Sequence, residues 1–120
     1  MYQTKTIIED NKSYFLLMDN EGDKYWLFNS TLHRENGPAI ERANGSQMWF
    51  NYGQLHRMDG PAIIYDNGNQ EWYCHDLLHR EDGPAIEHVS GRKEWWFKGK
   101  FVTSSSQEEF DRSLKLQALW

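Results

Sequence analysis

The residues with chemistry to offer are concentrated in three blocks of nearly identical sequence. Leu32-His33-Arg34-Glu35-Asn36-Gly37-Pro38-Ala39-Ile40 recurs as Leu55-His56-Arg57-Met58-Asp59-Gly60-Pro61-Ala62-Ile63 and as Leu78-His79-Arg80-Glu81-Asp82-Gly83-Pro84-Ala85-Ile86. A histidine and an arginine beside an acid could bind a metal, capture an anion or move a proton. A shared metal would require His33, His56 and His79 to converge. Equivalent residues of successive hairpins lie two strands apart, roughly 9–10 Å, whereas ligands sit about 2 Å from a zinc ion. No Cys/His pair stands at zinc-site spacing either, so no metal and no cofactor is expected. The order His-Arg-x-Asp superficially matches a kinase catalytic loop, but the downstream Asn, the glycine-rich loop and the lysine strand are absent. Catalysis needs one asymmetric constellation, and a threefold copy of it argues against an enzyme.

Two uses of the blocks remain. In the structural one, Arg34, Arg57 and Arg80 bond the side chain of their own turn (Asn36, Asp59, Asp82) or of the neighbouring repeat. The histidines would then donate to backbone carbonyls at the same corners. In the functional one, a regular row of cationic donors captures an anionic ligand such as a nucleotide, or a strip on a partner protein. Glu35, Glu81 and Glu87 lower the potential there and weaken the anion reading.

The elements that position these blocks follow from their spacing. The period is 23 residues without an insertion, and Gly22, Gly45, Gly68 and Gly91 keep the same step. Each of those glycines is followed four residues later by Trp26, Trp49, Trp72 or Trp95. Only these outer markers reach the first copy, where "SYFLLMDN" replaces "NGPAIERA". Every copy reads as a β-hairpin: an apolar run, then Asn44-Gly45, Asn67-Gly68 or Ser90-Gly91 to turn, then a run of strand formers such as "SQMWFNY". Pro at the head of a strand is tolerated because its missing N–H lies outside the ladder. The fold expected is mainly β: an elongated, twisted antiparallel sheet of tandem 23-residue hairpins with a short C-terminal α-helix. The chain is read as a single repeat domain over 1–120. A leading strand spans 3–9, about four hairpin repeats span 14–102 with the first degenerate, and a helix spans about 106–119.

Period-2 alternation puts Trp26, Trp49, Trp72 and Trp95 on one face against Leu17, Ile40, Ile63 and Ile86 as the core ladder. Cys74 falls on that face as a small core residue. Leu27, Phe50, Tyr73 and Trp96 then point the other way, and something must cover them. Ser105 or Ser106 with Glu108 and Glu109 forms a capping-box pattern. The helix it opens carries Phe110, Leu114 and Ala118 as a stripe that Leu116, Leu119 and Trp120 widen. It is read as a cap on the last repeat, the alternative being a helix offered to a partner.

Bulk properties limit the function. A net charge of −5 excludes a general nucleic-acid binder, which needs a basic field. No apolar run is long enough for a membrane span and "MYQTKTIIED" has no signal-peptide core. A single cysteine cannot form an internal disulfide, so the cytoplasm is the expected compartment. Aromatic residues make up 15% of an otherwise polar chain, so a few large side chains must build the core.

A 23-residue hairpin with glycine four residues before an aromatic resembles the MORN repeat. The closer likeness is to a variant with L-H-R-x-D-G-P-A found in small uncharacterised proteins, many from bacteriophages. A related branch occurs in proteins classed as bacterial antitoxins. The likeness covers about residues 14–102 and is strongest over 32–98. It departs from ordinary MORN repeats in its His-Arg and Gly-Pro, where those have a glycine-rich link. The resemblance implies a fold and a binding role and brings no catalytic residue. The expected function is therefore a non-catalytic protein–protein interaction module, a phage-encoded accessory or counter-defence protein that binds and antagonises a host or defence protein in the host cytoplasm. Its binding residues would be His33, Arg34, His56, Arg57, His79 and Arg80, with Phe50, Tyr73 and Trp96. The alternatives are a sponge for a small anionic ligand such as a signalling nucleotide, and a structural homo-oligomer.

Overall fold

In the computed structural model, which describes residues 2–118, the repeat becomes a ladder measuring 51 × 30 × 20 Å. Strands β1 (Gln3–Glu9), β2 (Lys12–Met18) and β3 (Lys24–Phe28) form an antiparallel meander, with β4 (Thr31–Leu32) folded back on β3. The long sheet continues through short strands, two per repeat. They are β5 (Ile40–Glu41) and β6 (Gln47–Met48), then β9 (Ile63–Ile64) and β10 (Gln70–Glu71), then β13 (Ile86–Glu87) and β14 (Lys93–Phe97). Outside that path, β7 (Phe50–Asn51) pairs β8 (Gln54–Leu55), and β11 (Tyr73–Cys74) pairs β12 (Leu77–Leu78). Strand β15 (Lys100–Val102) closes on β14, and α1 (Gln107–Ala118) follows. The mainly β, hairpin-by-hairpin architecture with one C-terminal helix is as the spacing predicts.

Its detail differs in one instructive respect. The run "SQMWFNY" is not one strand but two, broken at Trp49, and "NQEWYCH" breaks likewise at Trp72. The tryptophan N–H groups of Trp26, Trp49 and Trp72 donate to the carbonyls of Ala39, Ala62 and Ala85, each at 2.7 Å. Their carbonyls accept from the amides of His33, His56 and His79 at 3.1, 3.2 and 3.1 Å. Each tryptophan thus pairs forward into the next repeat with one backbone group and within its own corner with the other. The three alanines are fully buried, and Ile40, Ile63 and Ile86 lie beside them in the core.

Two kinds of turn alternate. At Asn44-Gly45 and its equivalents only the glycine has positive φ, and the Gly45 amide donates to the Arg42 carbonyl at 3.0 Å. This is a three-residue loop ending on a left-handed glycine rather than the two-residue turn the Asn-Gly pair suggests. The tight two-residue turns, with positive φ at both positions, are Asp10-Asn11, Asn29-Ser30, Tyr52-Gly53, His75-Asp76 and Lys98-Gly99.

The ends are closed by different means. At the start, β1 and β2 form a hairpin whose Tyr14 is buried with Trp26 and Ala39, against Ile7, Leu16, Phe28 and Phe50. At the far end, Thr103 stands where the other repeats have arginine, and Gln107 covers Trp95 instead, accepting its indole N–H at 3.2 Å. The Ser106 hydroxyl accepts the Glu109 amide at 3.1 Å as the N-cap, while the Glu109 carboxylate is bonded by the Ser105 hydroxyl at 2.8 Å. Phe110 is fully buried and Leu116 exposed; the expected partners Ala118, Leu119 and Trp120 lie outside the described side chains. The helix therefore caps the last repeat. Replacing Phe110 by Ala should cost about 3 kcal/mol in urea denaturation, and Leu116→Ala should change stability by less than about 0.5 kcal/mol.

Candidate binding corners and clefts

Each Leu-His-Arg block builds one corner, and its arginine is the centre. The guanidinium carbon of Arg34 lies 3.6 Å from the ring centroid of Trp26, that of Arg57 3.9 Å from Trp49, and that of Arg80 3.9 Å from Trp72. One Nη1 donates to the Pro38, Pro61 or Pro84 carbonyl at 3.2, 3.0 and 3.1 Å. A glycine closes the other side: a methyl group at Gly37, Gly60 or Gly83 would sit 2.9, 2.9 and 2.5 Å from the guanidinium carbon. The tryptophan faces are therefore covered by arginine, and Trp49 and Trp72 remain half-buried rather than closing a purely apolar ladder. Trp26 and Trp95, next to the end caps, are buried.

The acid at each corner completes the arrangement. Asp59 accepts from Arg57 Nε at 3.2 Å and Asp82 from Arg80 Nε at 2.9 Å. Asn36 cannot act as an anion, and Arg34 does not bond it. Glu9 of the N-terminal hairpin takes that place with both oxygens, at 3.1 and 3.0 Å, and Glu41 adds a contact at 3.2 Å. A one-residue change in the repeat is thus compensated by the end cap.

The histidines act as acceptors, not donors. Nδ1 of His33, His56 and His79 accepts the amide N–H of Tyr52, His75 and Lys98 at 3.0, 3.2 and 2.9 Å. Those amides belong to the positive-φ residues of the next repeat's tight turn, so each histidine pins its neighbour's turn. His33 also stacks on Tyr52 and His56 on His75, at 3.9 and 4.3 Å between centroids. Accepting at Nδ1 requires the neutral ring. Burial holds both His33 and His56 below the usual imidazole range, with nearby Lys12 also lowering His33 against the opposing pull of Glu35, and His75 adding to the shift of His56. Nε2 of the buried His33 has no hydrogen-bond partner.

A second tie runs through the opposite loops. Asp23 Oδ1 accepts the Ala43 amide at 2.8 Å, Ser46 Oγ the Asp66 amide at 2.9 Å, and Asn69 Oδ1 the Val89 amide at 2.8 Å. These acceptors are unlike in sequence yet share the 23-residue step, the one signal from which they could have been found.

Between successive corners lie two equivalent open clefts. The first, of about 880 Å³, runs from Arg34–Pro38 to His56–Asp59 over Trp49 and Phe50. The second, of about 730 Å³, runs from His56–Pro61 to His79–Asp82 over Trp72, Tyr73 and Cys74. Met58 lines both and is almost fully exposed. Of the residues expected to bind, Arg34, His56, Arg57, His79, Arg80, Phe50 and Tyr73 are brought to these clefts. His33 is buried, and Trp96 lines neither of these clefts, packing edge-on against Phe101 at 5.4 Å. Phe50, Tyr73 and Trp96 are half-buried, so the second face is neither fully covered nor open. Burial and a bond to Glu71 push the Tyr73 hydroxyl well up, so it acts as a donor. The exposed charge on the rim is acidic: the Asp59 and Asp82 side chains are 88% exposed and Glu81 71%, whereas Arg57 and Arg80 are below 25%.

Cys74 is half-buried beside the second cleft rather than in a core. It comes within 4.8 Å of ring nitrogens of His56 and His75, a grouping hidden in the sequence because the members come from adjacent repeats. Asp19, Glu21 and Asp23 also cluster, but Asp19 accepts the Glu21 and Asp23 amides and Asp23 accepts from Ala43 and Arg42. Comparison with family models, curated proteins and solved structures returned no match. No helix among the described residues is long and apolar enough to cross a membrane.

Two outcomes check this description. Gly83→Ala should destabilise by about 1–3 kcal/mol through collision with Arg80. Most of that penalty should vanish in an Arg80→Ala background, a coupling that a double-mutant cycle measures. His33 and His56 set the acid response. Between their lowered folded pKa and the unfolded value of about 6.5, the unfolded chain binds more protons. Their contribution is complete above that value and lost as pH falls through the folded pKa. Asp23 and Glu94, held below the carboxylate range by the Ala43 amide and by His88 respectively, are still ionised in this window. Urea midpoints should therefore fall between pH about 7.5 and about 5.5, and His33→Asn, which keeps an acceptor but cannot titrate, should reduce that fall.

Proposed function

We propose that the chain is a non-catalytic binding module whose corner clefts accept an extended segment of a partner protein. The observation that supports this most is the pair of equivalent clefts, each floored by aromatic rings and rimmed by exposed carboxylates, with Met58 between them. Aromatic and methionine side chains give large contact area, and shallow repeated sites suit a chain laid along them. Their arginines are already bonded inside the corners, which leaves the acidic groups as the accessible charge. A segment carrying lysine or arginine is the matching partner.

Spacing points the same way. Successive clefts are two strands apart, roughly 9–10 Å. A polyproline-type chain advances about 9 Å in three residues and presents the same face at each such step. Side chains at every third position of the partner would fall into successive clefts. Within this reading the chain is a MORN-like repeat protein of the L-H-R-x-D-G-P-A type. The phage occurrence of such repeats makes a host or defence protein the partner, antagonised by occupation of its segment.

The test is capture from bacterial lysate with photo-crosslinkers placed at Met58 and Glu81. A stoichiometric partner crosslinked at both, whose affinity falls about tenfold in Met58→Ala with melting unchanged, is the expected result. Absence of any stoichiometric protein, or crosslinks confined to the β1 edge, would overturn it. The cleft volumes also lie in the range of nucleotide sites, which is what favours the sponge as a second reading. The acidic rim opposes it, so calorimetry against cyclic and linear nucleotides should be silent, and heat corresponding to two equivalent sites would replace the protein-binding reading. If the captured partner is the chain itself, the homo-oligomer is the correct member of the set.

A further inference from the structure

The side chains of His56 and Cys74 line the second cleft and His75 stands beside them; the repeat requires His56, whose ring pins the next turn, but neither Cys74 nor His75. The equivalents of Cys74 are Phe28, Asn51 and Phe97, and those of His75 are Asn29, Tyr52 and Lys98. The strand position therefore tolerates an aromatic or an amide, and the positive-φ turn position tolerates three other side chains. Only at this turn do a thiol and two imidazoles meet. We propose that Cys74, His75 and His56 form a binding site for a borderline-soft divalent transition metal of the zinc class, with one coordination position open to the cleft.

The donor set is the first argument. One thiolate and two imidazoles suit zinc and its neighbours and disfavour the hard alkaline-earth ions. Geometry is the second. One ligand atom from each residue lies within 4.8 Å of the other two. Metal bonds of about 2.0–2.3 Å in tetrahedral geometry bring ligand atoms to roughly 3.3–3.8 Å, so the atoms must close by about 1 Å, and the two imidazoles, stacked at 4.3 Å and 21°, must turn out of that stack to aim both lone pairs at one ion. Support from outside the ligand set is the third. Nδ1 of His75 faces Gln54 Oε1 at 3.0 Å, and donation there leaves the Nε2 lone pair for a metal. The turn that carries His75 is fixed by the Asp76 amide on the Leu55 carbonyl at 2.9 Å and by the Leu55 amide on Asp76 Oδ1 at 2.7 Å.

His56 enters on different terms. Its Nδ1 accepts the His75 amide at 3.2 Å, the longest of the three equivalent bonds. Ligation through Nε2 places the proton on Nδ1 and releases that bond. One neutral hydrogen bond is exchanged for a metal–imidazole bond, and the Cys74 thiol gives its proton to solvent as the metal enters. Because Cys74 and His56 both line the second cleft, a water from that side completes the coordination.

Titration of the full chain with Co²⁺, followed by Zn²⁺ competition, tests the site through the thiolate-to-cobalt charge-transfer band. One equivalent should bind with that band, and zinc should displace it. Cys74→Ser should abolish the band. His75→Asn should weaken binding at least tenfold with melting unchanged, since Asn29 holds the same turn position in the first repeat. His56→Asn should weaken it as well. Absence of the band at stoichiometric cobalt would overturn the proposal. So would a band whose affinity is the same in both histidine variants, which would identify an isolated thiol as the ligand.

Discussion

A guanidinium held between the face of a tryptophan and the Cα of a glycine is the contact on which each corner of this protein depends. Neither neighbour could be replaced freely. The tryptophan supplies a flat electron-rich surface worth of the order of 1 kcal/mol to a cation, and any side chain at the glycine would occupy the arginine's volume. The same arginine bonds the proline carbonyl that opens the next strand. Stack, turn and strand entry are therefore one unit, and this accounts for the joint recurrence of Trp, Arg, Gly and Pro at a constant step.

The repeat extends by passing bonds forward. Tryptophan amides bond the next alanine carbonyl, histidine rings bond the next tight turn, and Asp23, Ser46 and Asn69 bond the next outer loop. Such a ladder needs endings, and the two ends solve the problem with unrelated chemistry. Glu9 supplies the carboxylate that Asn36 lacks, and Gln107 reaches the indole that Thr103 leaves without an arginine. The inner clefts are what remains between corners once these internal demands are met. Their accessible charge is acidic although their sequence is rich in arginine, because exposure rather than count decides what a partner meets.

Much of this was legible in advance. The hairpin architecture and the C-terminal helix follow from an unbroken period and from turn and capping residues, whereas the sequence leaves two uses of the arginines open. The bonding of Arg57 and Arg80 to their own turns was also readable, because Asp59 and Asp82 lie only two residues away. Alternation failed at Trp49 and Trp72, where the strand changes partner and the period-2 rule no longer relates the residues on either side. The histidines accept where the sequence suggests donation, because their partners lie 19 residues ahead. Cys74 follows the break at Trp72, so alternation does not place it in the core.

By itself the sequence determined the unit and its repetition: three blocks at one spacing admit few folds, since each must bury its apolar residues against a copy of itself. Tertiary structure decided everything that depends on which unlike residues become neighbours. It put arginine on tryptophan eight residues apart, Glu9 on Arg34, and His56 beside Cys74 and His75. The physical reason is that periodicity specifies which positions are equivalent, whereas contacts between non-equivalent positions depend on the strand exchange at each tryptophan and on the register it imposes.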